Sequence, residues 1–546
     1  MKALPFRYVC GVQSPRTPKC KLSAPMKPSA QRLMLPLVLL LILVNGPSSI
    51  ALAQDTTGYR SLSDRIQVES AEHWIAWSSA TGSRIVDEEG RVTPRLLRRN
   101  TNAIVNAEQD TLLATISSAR SGSESAANVL DGDLSTYWEP DPTAPIEDWG
   151  IEINLGRSVI TRRVVLRFAE EGAGDPFLKF RVLLSDGLRT SGREGGLQYF
   201  RGGLVTQPNK DQRVFHFDLK TQKKAADGTE GTIVQFVRID VLDTDGPNAE
   251  EVSPETYRNL PEEDRGATDH VLLTATGREI TVTGEVYEGL SAEEQGPVRY
   301  YRQERPRLAE VEVEAVGENI VAISQSEREK APSEGRFDFL LFRTLTDGLF
   351  SSSMEIPRYD PVADEGQVEI DLGAKYWLDR ILLLSPENPP LAYQIRVSEG
   401  ATDPGGQRIW TSLAEQQNLE RYLHVEQQFP LQEVRFVEVR HLTVDKSRRS
   451  KGKLGEIQAY GAGYVSEVTM VSPFITLDTP RIFSHLNWEG DVPPGTSVEV
   501  RTRTGDKVTL VPHYFSGFFV NAREISKSLW EKIPESTRPP PVIEEV

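Results

Sequence analysis

Trp149-Gly-Ile-Glu-Ile-Asn-Leu-Gly156 alternates apolar and polar residues and stops at a glycine. In a strand, successive side chains point to opposite faces, so Ile151, Ile153 and Leu155 share one side. Gly156 permits the exit turn. The pattern returns as Val368-Glu-Ile-Asp-Leu-Gly373, and similar alternation marks 164–168, 236–242 and 435–442. Pro, Gly, Asn and Asp clusters separate these runs. Half-buried strands read this way, and the chain is expected to be all-β. The best helix candidate is the short stretch Ile525–Lys532.

The strands belong to an internal repeat. Asp131-Gly132-x-x-Ser135 matches Asp347-Gly348-x-x-Ser351 at a shift of 216. Ile151–Gly156 matches Val368–Gly373 and Arg163–Leu166 matches Arg380–Leu383, both at 217. Ser185-Asp-Gly187 matches Ser398-Glu-Gly400 at 213, and Phe236-Val237 matches Phe436-Val437 at 200. Glu312–Gly317 matches Glu456–Gly461 at 144. The falling shift places extra residues in the first copy, most of them in an insertion at about 243–306. Loops tolerate such insertions because closure entropy grows slowly with length. This one holds 15 Asp+Glu against 6 Arg and no Lys, which reads as a solvated flap or as a loop that attracts a partner or cation.

Ala126-Ala-Asn-Val-Leu-Asp-Gly-Asp-Leu-Ser-Thr-Tyr-Trp138, followed by 149–156, resembles the discoidin family. This is the coagulation factor 5/8 C-terminal type of module, close to family 32 carbohydrate-binding modules. Asn154 stands where that pattern usually has Asp, and Met354 stands in the second copy where Trp138 stands in the first. The resemblance implies tandem jelly-roll β-sandwiches of the galactose-binding-like fold. Module 1 would span 109–318 and a degenerate module 2 would span 319–463. It also implies a structural Ca²⁺ held by Asp131, Asp133, Thr136 and Glu312. A weaker second site would use Asp347 and Glu456, since Leu349 replaces Asp133 there. Hard oxygen ligands of this kind suit Ca²⁺. Ligand contacts would come from loops at one end of the sandwich, where Arg193, Tyr199, Phe200 and Arg201 stand among glycines. Read without the family, Asp131-Gly132 is a tight turn. Trp138 is a large core residue, provided its N–H finds a partner.

Residues 1–33 carry seven basic residues and no acid. Twelve apolar residues, Leu33–Val44, and Ala51-Leu-Ala53 follow. This is the form of a secretory signal peptide over 1–53. Twelve residues are short for a membrane span, so none is expected in the mature chain. Both cysteines, Cys10 and Cys20, precede the cut, which removes disulfides and thiol chemistry from 54–546. The segment contributes +7, so the charge of −17 becomes −17 − 7 = −24. A chain this acidic is a poor nucleic-acid partner. The expected location is secreted or in the cell envelope.

In the flank 54–108, Ile66–Ser70 and His73–Trp77 read as strands that pack on a neighbouring domain, with a turn at Gly90 and His73 as a buried, hydrogen-bonded residue. Beyond Gly463, Glu467–Val471, Arg481–Phe483, Leu486–Trp488 and Ser497–Arg503 suggest a partial β module over 464–546, ending in a Pro-rich tail. G-x-S-x-G, P-loop and H-E-x-x-H motifs are absent, and the seven His show no metal-like spacing. Three readings follow. The first is a secreted, non-catalytic carbohydrate-binding or adhesion protein whose partner is an extracellular glycan. The second is a structural envelope or secretion-associated scaffold. The third is a β-sandwich polysaccharide-active enzyme, since 79 acids offer many carboxylate pairs.

Overall fold

The computed structural model describes residues 2–12, 58–104, 114–190, 195–221, 224–325, 343–362, 366–443, 452–477, 479, 481–505, 510–516, 523–535 and 538–545. About 48% of the described residues are strand and 10% helix, in several sheets, as the alternation requires.

Module 1 is an eight-stranded sheet folded on itself. Its strands are β1 (Arg99–Asn102), β2 (Thr115–Ala119), β3 (Gly150–Phe168), β4 (Lys179–Ser185), β5 (Phe200–Val205), β6 (Val214–Asp218) and β7 (Thr232–Asp243). After an insertion of β8 (Glu250–Val252), β9 (Arg265–Leu273), β10 (Glu279–Val282) and β11 (Gln295–Arg302), the closing strand is β12 (Leu308–Gly317). The order is β5-β4-β7-β3-β12-β1, with β2 and β6 also on β3. The first half of β3 pairs with β7 and β2, and its second half with β12 and β6. The β7 ladder ends and the β12 ladder begins at Thr161, and Gly156, at φ +69°, lies in the register break of the β7 ladder between Asn154 and Val159. One strand thus supplies both layers of the sandwich. Ile151, Ile153 and Leu155 enter the core from one half, Val164, Leu166 and Phe168 from the other. Trp138 is fully buried beside Phe177, and its Nε1–H donates to Ser121 O at 2.9 Å.

Module 2 repeats this plan with β13 (Gln367–Leu384), β14 (Ala392–Ser398), β15 (Thr411–Gln417), β16 (His424–His441) and β17 (Glu456–Gly461), in the order β15-β14-β16-β13-β17. The repeat extends to individual hydrogen bonds. Gly156 N–H donates to Asn154 Oδ1 (2.9 Å) and Gly373 N–H to Asp371 Oδ1 (2.8 Å), so Asn154 does the work of the aspartate. Gly187 N–H donates to Ser185 Oγ and Gly400 N–H to Ser398 Oγ, both at 3.1 Å. Asn102 Oδ1 accepts from Val313 N, and Asn319 Oδ1 from Ala459 N. These asparagines stand 217 residues apart, so module 1 begins near 99, within the stretch read as an N-terminal flank.

The closing strands correct the repeat. Leu166 pairs with Val311 and Leu383 with Ile457, an offset of 146 rather than 144. Glu310, not Glu312, is therefore the counterpart of Glu456. Glu310, Glu312 and Glu314 alternate with valines, and a slip of two residues leaves such a pattern unchanged.

The modules meet over a small apolar cluster of Ile160, Ile233, Val316, Phe350, Leu382, Leu384 and Tyr460. Ser158 N–H donates to Gly348 O (2.6 Å), Phe350 N–H to Ser158 Oγ (2.7 Å) and Gln458 Nε2 to Ser158 O (3.0 Å). The Asp-Gly turn of module 2 is therefore part of this contact.

The insertion is folded rather than a loose flap. Its sheet runs β8-β11-β9-β10, with helices Pro254–Asn259 and Gly284–Glu288. A shift of 30 maps one half onto the other. Tyr257 OH donates to Gly266 O (3.0 Å) and Tyr287 OH to Gly296 O (2.6 Å). Tyr257 packs on Tyr300, and Tyr287 on His270. His270 faces Val298 while Thr268 faces Tyr300, so a two-fold relation passes between β9 and β11. Arg302 binds Asp175 through Nη1 (2.8 Å) and Nη2 (2.9 Å) and ties the unit to module 1.

The N-terminal flank packs on module 2, whose core takes Trp77 and Leu97. His73–Ile75 lies in a short helix, Ala71–Ile75, not a strand. The cause is a capping box: Ser70 Oγ accepts from His73 N–H (3.2 Å), and His73 Nδ1 accepts from Ser70 N–H (3.3 Å). His73 is buried and hydrogen-bonded as expected. Gly90 makes the turn between Arg84–Val86 and Val92–Pro94. Beyond module 2, Glu467–Val471 and Thr496–Gly505 flank the strand Lys2–Val12. The signal-peptide reading otherwise falls on 13–53, outside the described residues. The stretches Arg481–Phe483 and Leu486–Trp488 are not strands: they lie exposed and unpaired in any ladder. A short helix does form at Lys527–Trp530.

Trp138→Ala should cost about 3–5 kcal/mol in denaturant melts. Tyr257→Phe and Tyr287→Phe should each cost about 1 kcal/mol, and by nearly equal amounts.

Candidate functional site

Two kinds of site emerge from module 1. The first lies where the Asp-Gly turn meets the closing strand. Gly132, at φ +77°, donates its N–H to Glu310 Oε2 at 3.1 Å. Asp131 Oδ1 accepts from Asp133 N–H (2.8 Å), and Asp131 Oδ2 from the Thr136 hydroxyl (2.7 Å). Glu310 is buried, and its Oε1 has no hydrogen-bond partner. Burial, with the Asp131 and Glu312 carboxylates nearby, pushes its pKa up to about 8.

Of the four calcium ligands read from the sequence, the structure brings Asp131 and Thr136 together beside Glu310. Asp133 turns to Ser135, accepting from its N–H (2.9 Å) and hydroxyl (2.7 Å), and is exposed. Glu312 is engaged by Arg167 on the sheet face. Glu310, rather than Glu312, is therefore the carboxylate that meets the Asp-Gly turn.

Module 2 has the same arrangement, more deeply buried. Gly348 N–H donates to Glu456 Oε1 at 3.2 Å, while Oε2 lacks a hydrogen-bond partner. Burial and the neighbouring Asp347 raise the Glu456 pKa well above the usual carboxylate range. A buried, half-satisfied carboxylate beside a second acid needs a proton or a cation. The donor chemistry of each pair, Asp131 with Glu310 and Asp347 with Glu456, fits a hard cation such as Ca²⁺. Among the described residues, no group of three or more His, Cys, Asp or Glu is disposed to hold a metal ion. Backbone or water oxygens would have to complete the shell.

The second site is a shallow pocket on the outer face of β2, β3 and β7, lined by Ser118, Arg120, Gly150, Ile151, Glu152 and Arg238. Cross-strand pairing sets Ser118, Glu152, Arg238, Leu183 and Arg201 in one row. Gly150 and Asp240 stand in the next row, and the missing side chain of Gly150 lets Arg120 and Asp240 close over the backbone. A Cβ there would lie 2.8 Å from Arg120 Nη2 and 2.9 Å from Asp240 Oδ1. The buried Asp240 accepts from Arg238 Nε (2.9 Å), Arg181 Nε (2.9 Å) and Arg120 Nη2 (3.4 Å).

Tyr199 adjoins this pocket through two of its lining residues. Its hydroxyl donates to Glu152, and Arg238 lies 5.9 Å from its ring centroid. Burial and Glu152 hold its phenol well above the ordinary value. Phe200 and Arg201 are exposed on the edge strand β5. Arg193 lies outside the described residues. The sequence pointed to the Tyr199–Arg201 stretch but missed Arg120, Arg181, Arg238 and Asp240. Their only signal was charge at outward positions of strands, which any solvated sheet face shows.

No family model matches the chain, and no curated protein matches it. Among solved structures, it is similar to a fucolectin from striped bass (Morone saxatilis) serum, at 13% identity and a TM-score of 0.22, over 67% of this chain and all of that one. It is similar to a chitosan-binding module from Paenibacillus sp. IK-5 solved with chitotriose, at 20% identity and a TM-score of 0.18, over 24% and 89%. A Clostridium perfringens module solved with GlcNAc-α-1,4-galactose matches at 16% and 0.19, over 39% and 93%. These likenesses are distant. Among the described residues, no helix is long and apolar enough to cross a membrane.

Glu310 ionises near 4.5 when unfolded and near 8 when folded. Its raised value favours folding below pH 4.5, an advantage lost as pH rises through 8. In EDTA, melting temperature should therefore fall between pH 5 and 8.5 more steeply for the native chain than for Glu310→Gln.

Proposed function

We propose that this chain is a secreted, non-catalytic carbohydrate-binding protein and that module 1 is its binding module. The observation that carries the reading is the Gly150 pocket. A solvent-open dent with planar guanidinium and carboxylate groups and a tyrosine in its wall offers the bidentate hydrogen bonds and apolar contact that sugars accept. The exposed Phe200 on the neighbouring edge adds a face on which a sugar ring can stack. The β-sandwich fold is compatible with this role and does not establish it. The secretory leader read in the sequence agrees with an extracellular glycan as partner. Its removal after Ala53 would withdraw the strand Lys2–Val12 from the C-terminal sheet.

Calcium, in this reading, is structural. Asp131 with Glu310, and Asp347 with Glu456, would hold it and so compensate buried carboxylates that are otherwise costly to ionise.

A scaffold role is the second reading, and a specific observation favours it for module 2. Its Asp-Gly turn is spent on the contact with module 1 through Ser158 and Phe350. Module 2 then serves to brace module 1.

A glycan panel on the full chain tests the proposal. Binding should occur, and Tyr199→Ala should weaken it by about tenfold or more while leaving the melt of module 2 in place. Absence of any glycan ligand would favour the scaffold. Calcium should raise the melting temperature at pH 8. Glu310→Gln should reduce that rise, and Glu312→Gln should leave it intact.

A further inference from the structure

We propose that the Gly150 pocket of module 1 is specific for an anionic sugar, one that presents a carboxylate to Arg120 and Arg181. The proposal rests on the carbohydrate-binding reading above and names the class of glycan.

The charge count comes first. The chain as a whole carries −17. Among the described residues of these rows, Arg120, Arg181, Arg201 and Arg238 stand with Asp240 and Glu152, a local balance of 4 − 2 = +2. One buried carboxylate cannot neutralise three guanidiniums. Asp240 instead anchors each of them by a single N–H, two of these through Nε. A guanidinium has five donors in a planar fork. Anchored in this way, Arg120 and Arg181 keep donors for a further acceptor, and both side chains are about 40% exposed. Glu152 is occupied by Ser117 Oγ (2.8 Å) and by Tyr199, so it does not compete for them.

Shape comes second. Gly150 lets the Arg120 guanidinium pack against bare backbone at the floor of the dent, and a planar carboxylate matches an arginine fork in a bidentate manner.

Module 2 supplies an internal comparison. At the shift of 217, Gln367 stands where Gly150 stands in module 1, so the backbone is not bare there. Arg396 is closed on Glu438 through two bonds of 2.7 Å, and Arg440 Nε lies 2.6 Å from the same carboxylate. There Arg396 satisfies the acid in bidentate fashion and Arg440 reaches it through Nε alone. In module 1 three arginines share one acid, each held at one point.

The test is titration of the full chain with three probes: hexagalacturonate, neutral galactohexaose and sulfated galactohexaose. Hexagalacturonate should bind at least about tenfold more tightly than the neutral sugar, with affinity falling as salt rises. Arg120→Gln and Arg181→Gln should each remove most of that preference, with melting temperatures close to that of the native chain. Gly150→Ala should also lose it without removing charge. Equal binding of neutral and acidic sugars, or a preference that survives both arginine substitutions, overturns the anionic assignment and leaves the carbohydrate-binding reading standing. Preference for the sulfated sugar over the uronate overturns the carboxylate. Failure of every sugar to bind overturns both.

Discussion

A buried glutamate that receives a glycine N–H across the sandwich is the constraint on which each module depends. Glu310 does this for Gly132 and Glu456 for Gly348. The bond joins the last strand of the module to its first long turn and so closes the barrel-like path of the chain. It favours a glycine, because the turn runs at positive φ, and an oxygen acceptor for the glycine N–H. Placing an unpaired carboxylate in the interior is expensive, and both glutamates show this in their displaced acidity. The fold tolerates the cost in two places, which argues that the turn is held for a reason beyond packing.

Much of this plan was legible before any coordinates. Strand alternation, the glycine exits at Gly156 and Gly373, the burial of Trp138 and the existence of two copies all follow from local rules that the structure obeys. The errors have definite physical causes. The alternating Glu310-Val-Glu-Val-Glu314 run cannot report its own register, so the closing glutamate was misplaced by two residues. At His73–Trp77, side-chain capping outweighed strand propensity. In the insertion, acidity concealed a folded unit, because the apolar contacts that hold it are two tyrosines and their aromatic neighbours rather than a run of aliphatics. The pocket was least legible. Its floor is the absence of a side chain at Gly150, and its walls come from residues 120, 152, 199 and 238, which no local spacing relates.

The two modules illustrate how copies of one fold part company. Module 1 keeps its Asp-Gly turn away from its neighbour and carries Gly150 on its outer face. Module 2 lays the corresponding turn against Ser158, buries its glutamate completely and carries Gln367 where the glycine stood. A duplicated domain free of ligand duty can trade an open loop for a partner's surface, and the apolar cluster around Ile160, Phe350 and Leu384 is the result.

The insertion enters and leaves module 1 at adjacent points. Ala249 N–H meets Arg302 O at 3.1 Å, and Glu304 N–H meets Gly246 O at 2.8 Å. Its chain ends therefore lie side by side, and its interior is two equivalent halves. Such a unit behaves as a cassette. It can be excised and the gap bridged by a short turn without displacing β7 or β12, and its halves can be exchanged about their own axis. Modularity here is nested, a duplicated element carried on one arm of a duplicated domain.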